Sequence, residues 1–260
     1  MFSFPGLGRQ GRLGNQMFQF ASTFSIAKTL GYEVVFPSQY HDLHCFDLDF
    51  ESLFTDKPIV TQFLFTENSS DFNFEPNVFR LPDNCSLQGY FQSLGYISPN
   101  ELEIREMLKF KNEIKEKADQ KLKDLGVYDS KKISVHVRRG DYLNIPDVLP
   151  VCDLSYYLEA IPLAKSKLPE SKIVIFSDDI EWCRENLKFD NCVFSDSLDH
   201  SVDMCMMSMC DAHVIANSSF SWWGAWLSES SQVVVRPKRW YGPGGPKVCG
   251  KMFLADWISL

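Results

Sequence analysis

The chain has 260 residues, 45% of them hydrophobic, enough apolar side chain for one large domain or two of ordinary size. Its formal net charge of −8 excludes the basic stripe that nucleic-acid binders use on phosphates, so any phosphate it holds must be held locally. No run approaches the roughly 18 consecutive apolar residues of a membrane span, and the N-terminus lacks the basic region and apolar core of a secretory signal. The chain reads as cytoplasmic, with no integral membrane segment and no nucleic-acid partner.

Met1 to Phe4 predicts a short apolar strand, followed by the glycine-rich loop Gly6-Leu7-Gly8-Arg9-Gln10-Gly11-Arg12-Leu13-Gly14-Asn15-Gln16. Phe18, Ala21, Phe24, Ile26 and Ala27 then recur at near-helical spacing, Gly31 stands where a helix stops, and Val34-Val35-Phe36 reads as the next strand. This is a βαβ start. From His41 to Pro99 the sequence is rich in phenylalanine, asparagine, aspartate and proline without sustained period, and no order of elements can be read there. Ser86 to Ser93 looks like a strand and loop. Asn100 to Leu125 predicts a charged helix with room for an interruption, its apolar side made by Ile104, Leu108, Ile114, Ala118, Leu122 and Leu125.

A boundary is expected near Gly126 to Lys132, dividing the chain into residues 1–128 and 129–260, because beyond it strand, loop and helix alternate regularly. The predicted strands are Ile133 to Val137, Lys172 to Ser177, Cys192 to Ser195, Ala212 to Ala216 and, last, Val233 to Val235. Helices are expected over Tyr156 to Lys167 and about Val202 to Met209, the latter a methionine stripe that reads as core. A short helix carrying Trp222, Trp223 and Trp226 follows Asn217-Ser218-Ser219-Phe220. Alternating strands and helices imply a doubly wound parallel sheet, and two Rossmann-like halves facing a central cleft is the expected α/β architecture.

The densest chemistry lies at Ser134-Val135-His136-Val137-Arg138-Arg139-Gly140-Asp141-Tyr142, where an apolar strand runs into two arginines, a glycine and an aspartate. A guanidinium is a rigid fork of donors that fits phosphate oxygens, and a following glycine would let a ligand approach the backbone. A solvated charge cluster capping a strand is the plainer alternative. Ligands of open α/β sheets bind outside the carboxyl ends of strands. Arg138 and Arg139 there, with Ser218, Ser219 and Phe220 at a helix N-terminus, describe a diphosphate site. Asp178 or Asp179 could accept two hydrogen bonds from the edge of a guanine, or could cap the following helix. A metal role for this pair would want further carboxylates that the sequence does not place.

The eight cysteines show no C-x-x-C and no nearby histidines at zinc spacing, so they read as core residues, with one or two bridges in an exported chain as the alternative. Asn68-Ser69-Ser70 and Asn217-Ser218-Ser219 match the glycosylation pattern, which carries meaning only in a secreted protein. Gly6, Gly8 and Gly11 match G-x-G-x-x-G after a strand, so an NAD(P)-binding oxidoreductase has to be weighed. Against it, Val34-Val35-Phe36 ends in Pro37-Ser38-Gln39, without the acid such a fold places on the ribose. A non-catalytic sugar-binding module is a third class, with Trp222, Trp223, Trp240 and Tyr241 as platforms, although burial is the commoner fate of such residues.

Five segments taken in order resemble glycosyltransferase family 11, the α-1,2-fucosyltransferases: Gly11-Arg12-Leu13-Gly14-Asn15-Gln16-Met17-Phe18-Gln19, Gly89-Tyr90-Phe91-Gln92-Ser93, His136 to Tyr142, Phe176-Ser177-Asp178-Asp179, and Asn217 to Leu227. The resemblance spans nearly the whole chain. It implies a GT-B-like fold and a metal-independent, inverting transfer of L-fucose from GDP-β-L-fucose to the 2-hydroxyl of a β-galactoside, with no cofactor beyond the donor. It further implies that Arg138 holds the β-phosphate and stabilises the leaving GDP. His136, Arg139, Asp178, Ser218, Ser219 and Phe220 become donor contacts in the 129–260 domain, and Asn15 meets the diphosphate or fucose from the acceptor-side 1–128 domain. Arg12 departs from the second glycine of bacterial members, and the Gly6-Leu7-Gly8 leader is unusual.

An inverting transfer also removes a proton from the acceptor hydroxyl. Asp141 and Asp147 are the candidate bases beside the clamp. For Asp141 an ion pair with Arg138 or Arg139 is the equal alternative.

Overall fold

The computed structural model describes residues 1–68, 70–247 and 251–260, so Ser69 of the first glycosylation pattern and Cys249 lie outside the described residues. The chain forms two units, residues 1–110 with 246–254 and residues 111–245 with 255–260. The division at Phe110 and Lys111 differs from the 128/129 boundary expected from sequence. The helix preceding that boundary packs within the second unit, against a helix of the same unit.

In the first unit the strands are β1 (Phe2–Ser3), β2 (Val34–Pro37), β3 (Phe54–Thr55), β4 (Phe63–Thr66) and β5 (Cys85–Gln88), with helices α1 (Leu13–Leu30), α2 (Phe50–Leu53), α3 (Leu94–Ile97) and α4 (Glu101–Met107). The strands pair in parallel in the order β3-β2-β1-β5-β4. Gly31 ends α1 in the left-handed conformation, and the next N–H returns to Ala27 O at 2.9 Å. Helix α1 is buried almost all round rather than on one stripe. Its polar residues are spent on loops: Gln19 donates to Gln10 O and Gly89 O at 3.1 and 3.2 Å, and Ser22 to Phe91 O at 3.1 Å. Those bonds satisfy groups that burial would otherwise make costly.

The second unit runs α5 (Asn112–Asp124), β6 (Lys132–Val137), α6 (Leu154–Lys167), β7 (Lys172–Ser177), α7 (Ile180–Asn186), β8 (Cys192–Phe194), α8 (His200–Ser208), β9 (Ala212–Val214), α9 (Ser219–Trp226), β10 (Val233–Arg236) and β11 (Ile258–Ser259). Its sheet is parallel in the order β11-β10-β9-β6-β7-β8. Strand β10 is therefore not the last: β11 joins it through Val235 and Ile258. The helix expected over 100–125 is interrupted, since Leu108 to Lys111 part α4 from α5. Ile114, Ala118 and Leu122 form the buried stripe of α5 at i, i+4 and i+8.

Trp222, Trp223 and Trp226 are buried and pack on one another, with the rings of Trp222 and Trp223 4.9 Å apart. Trp240 is buried too, so these residues are core and not sugar platforms. Cys85, Cys152, Cys183 and Cys210 are buried free thiols, and Cys45 and Cys205 are buried as well. Burial pushes the Cys152 and Cys183 thiols up to about 11, as expected of inert core residues. No helix among the described residues is long and apolar enough to cross a membrane.

Candidate active site

The second unit gathers its chemistry at the carboxyl ends of β6, β7 and β9. Strand β6 is buried along its whole length and delivers Arg138 and Arg139, 14% and 17% exposed, to the sheet edge. The Arg138 guanidinium meets Asp178 Oδ2 at 2.9 Å and pairs with Asp141. Beneath it lies the Tyr142 ring, 5.3 Å from ring centre to guanidinium carbon. Arg139 donates through its backbone N–H to Asp178 Oδ1 and through Nε to Asp179 Oδ2, both at 2.9 Å, and covers the Trp182 ring at 4.2 Å. Two carboxylates and an aromatic face thus hold Arg138 in one orientation, which is what pre-organised electrostatics requires.

The aspartate pair divides its work. Asp179 caps α7, accepting the Trp182 N–H at 3.2 Å, as the capping alternative has it. Asp178 instead spends both oxygens on the arginines. A β-carbon added at Gly140 would lie 2.5 Å from Asp178 Oδ2, so the space beside this glycine is filled by that carboxylate rather than left for a ligand. Asp141 makes the ion pair with Arg138 that stood as the alternative to a base. Asp147 is exposed; its carbonyl accepts the Gly244 N–H at 2.7 Å, and its side chain has no hydrogen-bond or ion-pair partner among the described residues.

Ser218 caps α9 by accepting the Phe220 N–H at 3.3 Å, and Ser219 and Phe220 form the half-exposed first turn. Tyr142 Oη donates to Asn217 O at 3.1 Å, tying this turn to the arginine loop. Asn217 itself is buried, its amide donating to Pro150 O and Trp240 O at 2.9 Å each, so it is no glycosylation acceptor. His136 is buried with its ring 5.5 Å from that of Phe220, and its Nδ1 has no partner among the described residues. Burial, then the nearby Arg138 charge, lowers its pKa to about 3, so the imidazole is neutral.

In the first unit Asn15 sits in the opening turn of α1 and accepts from Gln92 Nε2 at 2.8 Å. The glycines before it serve packing: a β-carbon on Gly8 would meet the Tyr40 carbonyl at 2.3 Å, and one on Gly11 the Asn15 amide at 2.3 Å. Both have left-handed φ, 81° and 83°. These demands account for Gly8 and Gly11 without a dinucleotide, while a β-carbon on Gly6 would make only ordinary contact, 3.5 Å from the Phe4 ring.

Sequence reading missed Glu67, just beyond β4. Its Oε2 accepts the Tyr90 and Phe91 N–H groups at 2.7 and 2.8 Å and fixes the turn that carries Gln92. A lone acid after the apolar run Phe63-Leu64-Phe65 was the one available signal. Burial, opposed by the two N–H donors, raises its pKa from 4.5 to about 7. A carboxyl with a raised folded-state pKa contributes stability that is complete below pH 4.5 and lost as pH rises through about 7. Glu67→Gln is expected to remove that dependence. Chemical denaturation at pH 5 and pH 8 should show the parent losing roughly 3 kcal/mol more than the variant, and equal losses would contradict this assignment.

Two parallel Rossmann-like sheets, with cationic and hydroxyl groups at the strand ends of one, are the layout of the GT-B class of glycosyltransferases. The solved fucosyltransferase NodZ from Bradyrhizobium shares this fold, with a TM-score of 0.58 at 15% identity over 86% of this chain and 92% of that one. The model of glycosyl transferase family 11 matches residues 7–260, and the chain belongs to that family. Among relatives, the Escherichia coli O-antigen biosynthesis glycosyltransferase WbnK is 28% identical over 96% of this chain and 98% of its own length. The galactoside α-(1,2)-fucosyltransferase 2 of Oryctolagus cuniculus is 27% identical over 98% of this chain and 76% of its own.

Proposed function

We propose that the protein transfers L-fucose from GDP-β-L-fucose to the 2-hydroxyl of a β-galactoside, with inversion to the α-linkage. Relatives matched over 87% and 98% of the chain are named as galactoside α-1,2-fucosyltransferases. The observation that carries the reading is Arg138, locked by Asp178, Asp141 and Tyr142 at the end of β6. As the bond from fucose to phosphate stretches, negative charge grows on the leaving diphosphate, and a fixed guanidinium stabilises that state more than the ground state. Ser218, Ser219 and Phe220 contribute hydroxyls and a helix N-terminus to the same charge, and Arg139 joins the donor contacts. His136, neutral, serves as an uncharged nucleotide contact. Asn15 is the first unit's donor contact in this scheme, meeting the diphosphate or the fucose.

Asp178 and Asp141 act in this scheme by holding Arg138. In this scheme the guanidinium donors hold the diphosphate without a metal, and the reaction needs no cofactor beyond its donor and acceptor. The buried thiols suit a reducing cytoplasm. GDP is expected to raise the melting temperature, by an amount that corresponds to about 2.7 kcal/mol at a hundredfold excess over its Kd. NAD and NADP should leave it unchanged. A shift with the dinucleotides and none with GDP would return the glycine loop to the oxidoreductase reading.

A further inference from the structure

Six residues other than glycine have positive φ among the described residues: Tyr40, Phe72, Asn84, Phe91, Glu170 and Asn191. Asparagine tolerates this conformation, and Phe72 and Phe91 are buried, so packing holds them there. Glu170 and Tyr40 are exposed; Glu170 stands in the turn before β7, at the amino end of that sheet, whereas Tyr40 is an aromatic at a carboxyl end. The φ of Tyr40 is 72° although the residue is 67% exposed, so burial does not offset the strain.

The neighbouring chain enforces this conformation. The Tyr40 carbonyl lies against Gly8, where a β-carbon would come within 2.3 Å. The next residue, His41, is buried and stacks on His44 and Phe54 at 4.5 and 4.8 Å between ring centres. Asp42 is fixed on both sides by Gln16, which accepts its N–H at 2.6 Å and donates to its carboxylate at 3.0 Å. One face of the exposed ring is covered by the Arg9 guanidinium at 5.0 Å. Tyr40 follows β2, so it stands at the same carboxyl edge of the first unit's sheet as Asn15 and the Gly89 to Gln92 turn. Ligands of such sheets bind at that edge.

We propose that Tyr40 is a stacking platform for the acceptor glycan. The ring offers its free face to the C–H face of a β-galactoside, a rigid apolar surface with a polar rim, while Arg9 braces the other face. The inference rests on the fucosyl-transfer reading and adds where the acceptor sugar is held. The fold around Gly8, His41 and Asp42 sets the backbone conformation, and binding then accounts for an aromatic ring held out at this edge.

Tyr40→Gly tests this well, because glycine adopts the left-handed conformation without cost and removes only the ring. The melting temperature should stay level or rise. The KM for a β-galactoside should increase about tenfold, the size of one lost aromatic contact. The KM for GDP-fucose and its hydrolysis without acceptor should not change. Tyr40→Phe should keep acceptor KM within about twofold of the parent, and Tyr128→Ala, at an exposed tyrosine of the other unit, should match the parent. An acceptor KM for Tyr40→Gly within about twofold of the parent would overturn the platform, as would a fall in melting temperature with loss of donor binding. Absence of fucosyl transfer by the parent overturns the underlying reading and the platform with it; transfer by the parent with unaltered variants overturns the platform alone.

Discussion

Arg138→Ala is expected to lower fucosyl transfer about a hundredfold to a thousandfold, equivalent to roughly 3–4 kcal/mol of transition-state stabilisation. The loss should fall on kcat more than on the KM for donor, because the guanidinium meets more charge as the sugar departs than it meets in bound GDP-fucose. Arg138→Lys should also be poor. Lysine keeps the charge, but a single ammonium cannot span Asp178 and Asp141 while presenting donors to phosphate. Both variants should be folded, which an unchanged GDP-independent melting curve would establish. Near-parental turnover in either would remove Arg138 from the chemistry and leave it a strand cap.

Gly140→Ala is expected to have the second largest effect, and it separates catalysis from stability. The new β-carbon would lie 2.5 Å from Asp178 Oδ2, but that atom is the end of a side chain, which can swing away at little cost to the fold. In moving, it releases Arg138 Nη1 and the Arg139 N–H, both held at 2.9 Å. A catalytic group displaced by about 1 Å costs on the order of a hundredfold in rate. Steady-state transfer rates measured beside melting curves should show a large loss in the first and little in the second. Full activity would mean that Asp178 does not position Arg138, and a collapsed melting temperature would mean that Gly140 is needed by the backbone itself.

The sequence is most legible where elements are long or fully buried. Strand β7 is buried along its apolar centre and appears as the continuous run Ile173-Val174-Ile175-Phe176, the pattern of a parallel sheet covered on two faces, while β6, buried at every position, is marked by Ile133, Val135 and Val137 alternating with Ser134 and His136. Helix α1 and its stop at Gly31 follow from spacing and one left-handed glycine. Elsewhere periodicity has too little length to act on. Strands β3 and β11 span two residues each, and β4 leaves Phe63 and Leu64 exposed, against the usual sorting of apolar side chains. The interruption between α4 and α5 and the unit boundary it sets depend on tertiary packing that no local signal reports.

The site shows the same division. Arg138, Arg139 and the Ser218 cap are legible because strand ends and helix starts have fixed chemistry. What Asp178 and Asp179 do is not, since adjacent carboxylates look alike until the fold turns one toward Trp182 and the other toward Arg138. Glu67 escaped notice for a related reason. Its role rests on Tyr90 and Phe91, 23 and 24 residues away, in a stretch without readable order.

The central claim is most directly tested by incubating the protein with GDP-fucose and a panel of β-galactosides in excess EDTA, then determining the linkage and anomeric configuration of the product. The account predicts an α-linked fucose on the galactose 2-hydroxyl, formed at the same rate with and without chelator. Fucose on another hydroxyl, a β-linkage, or turnover that returns only with added magnesium or manganese would contradict it.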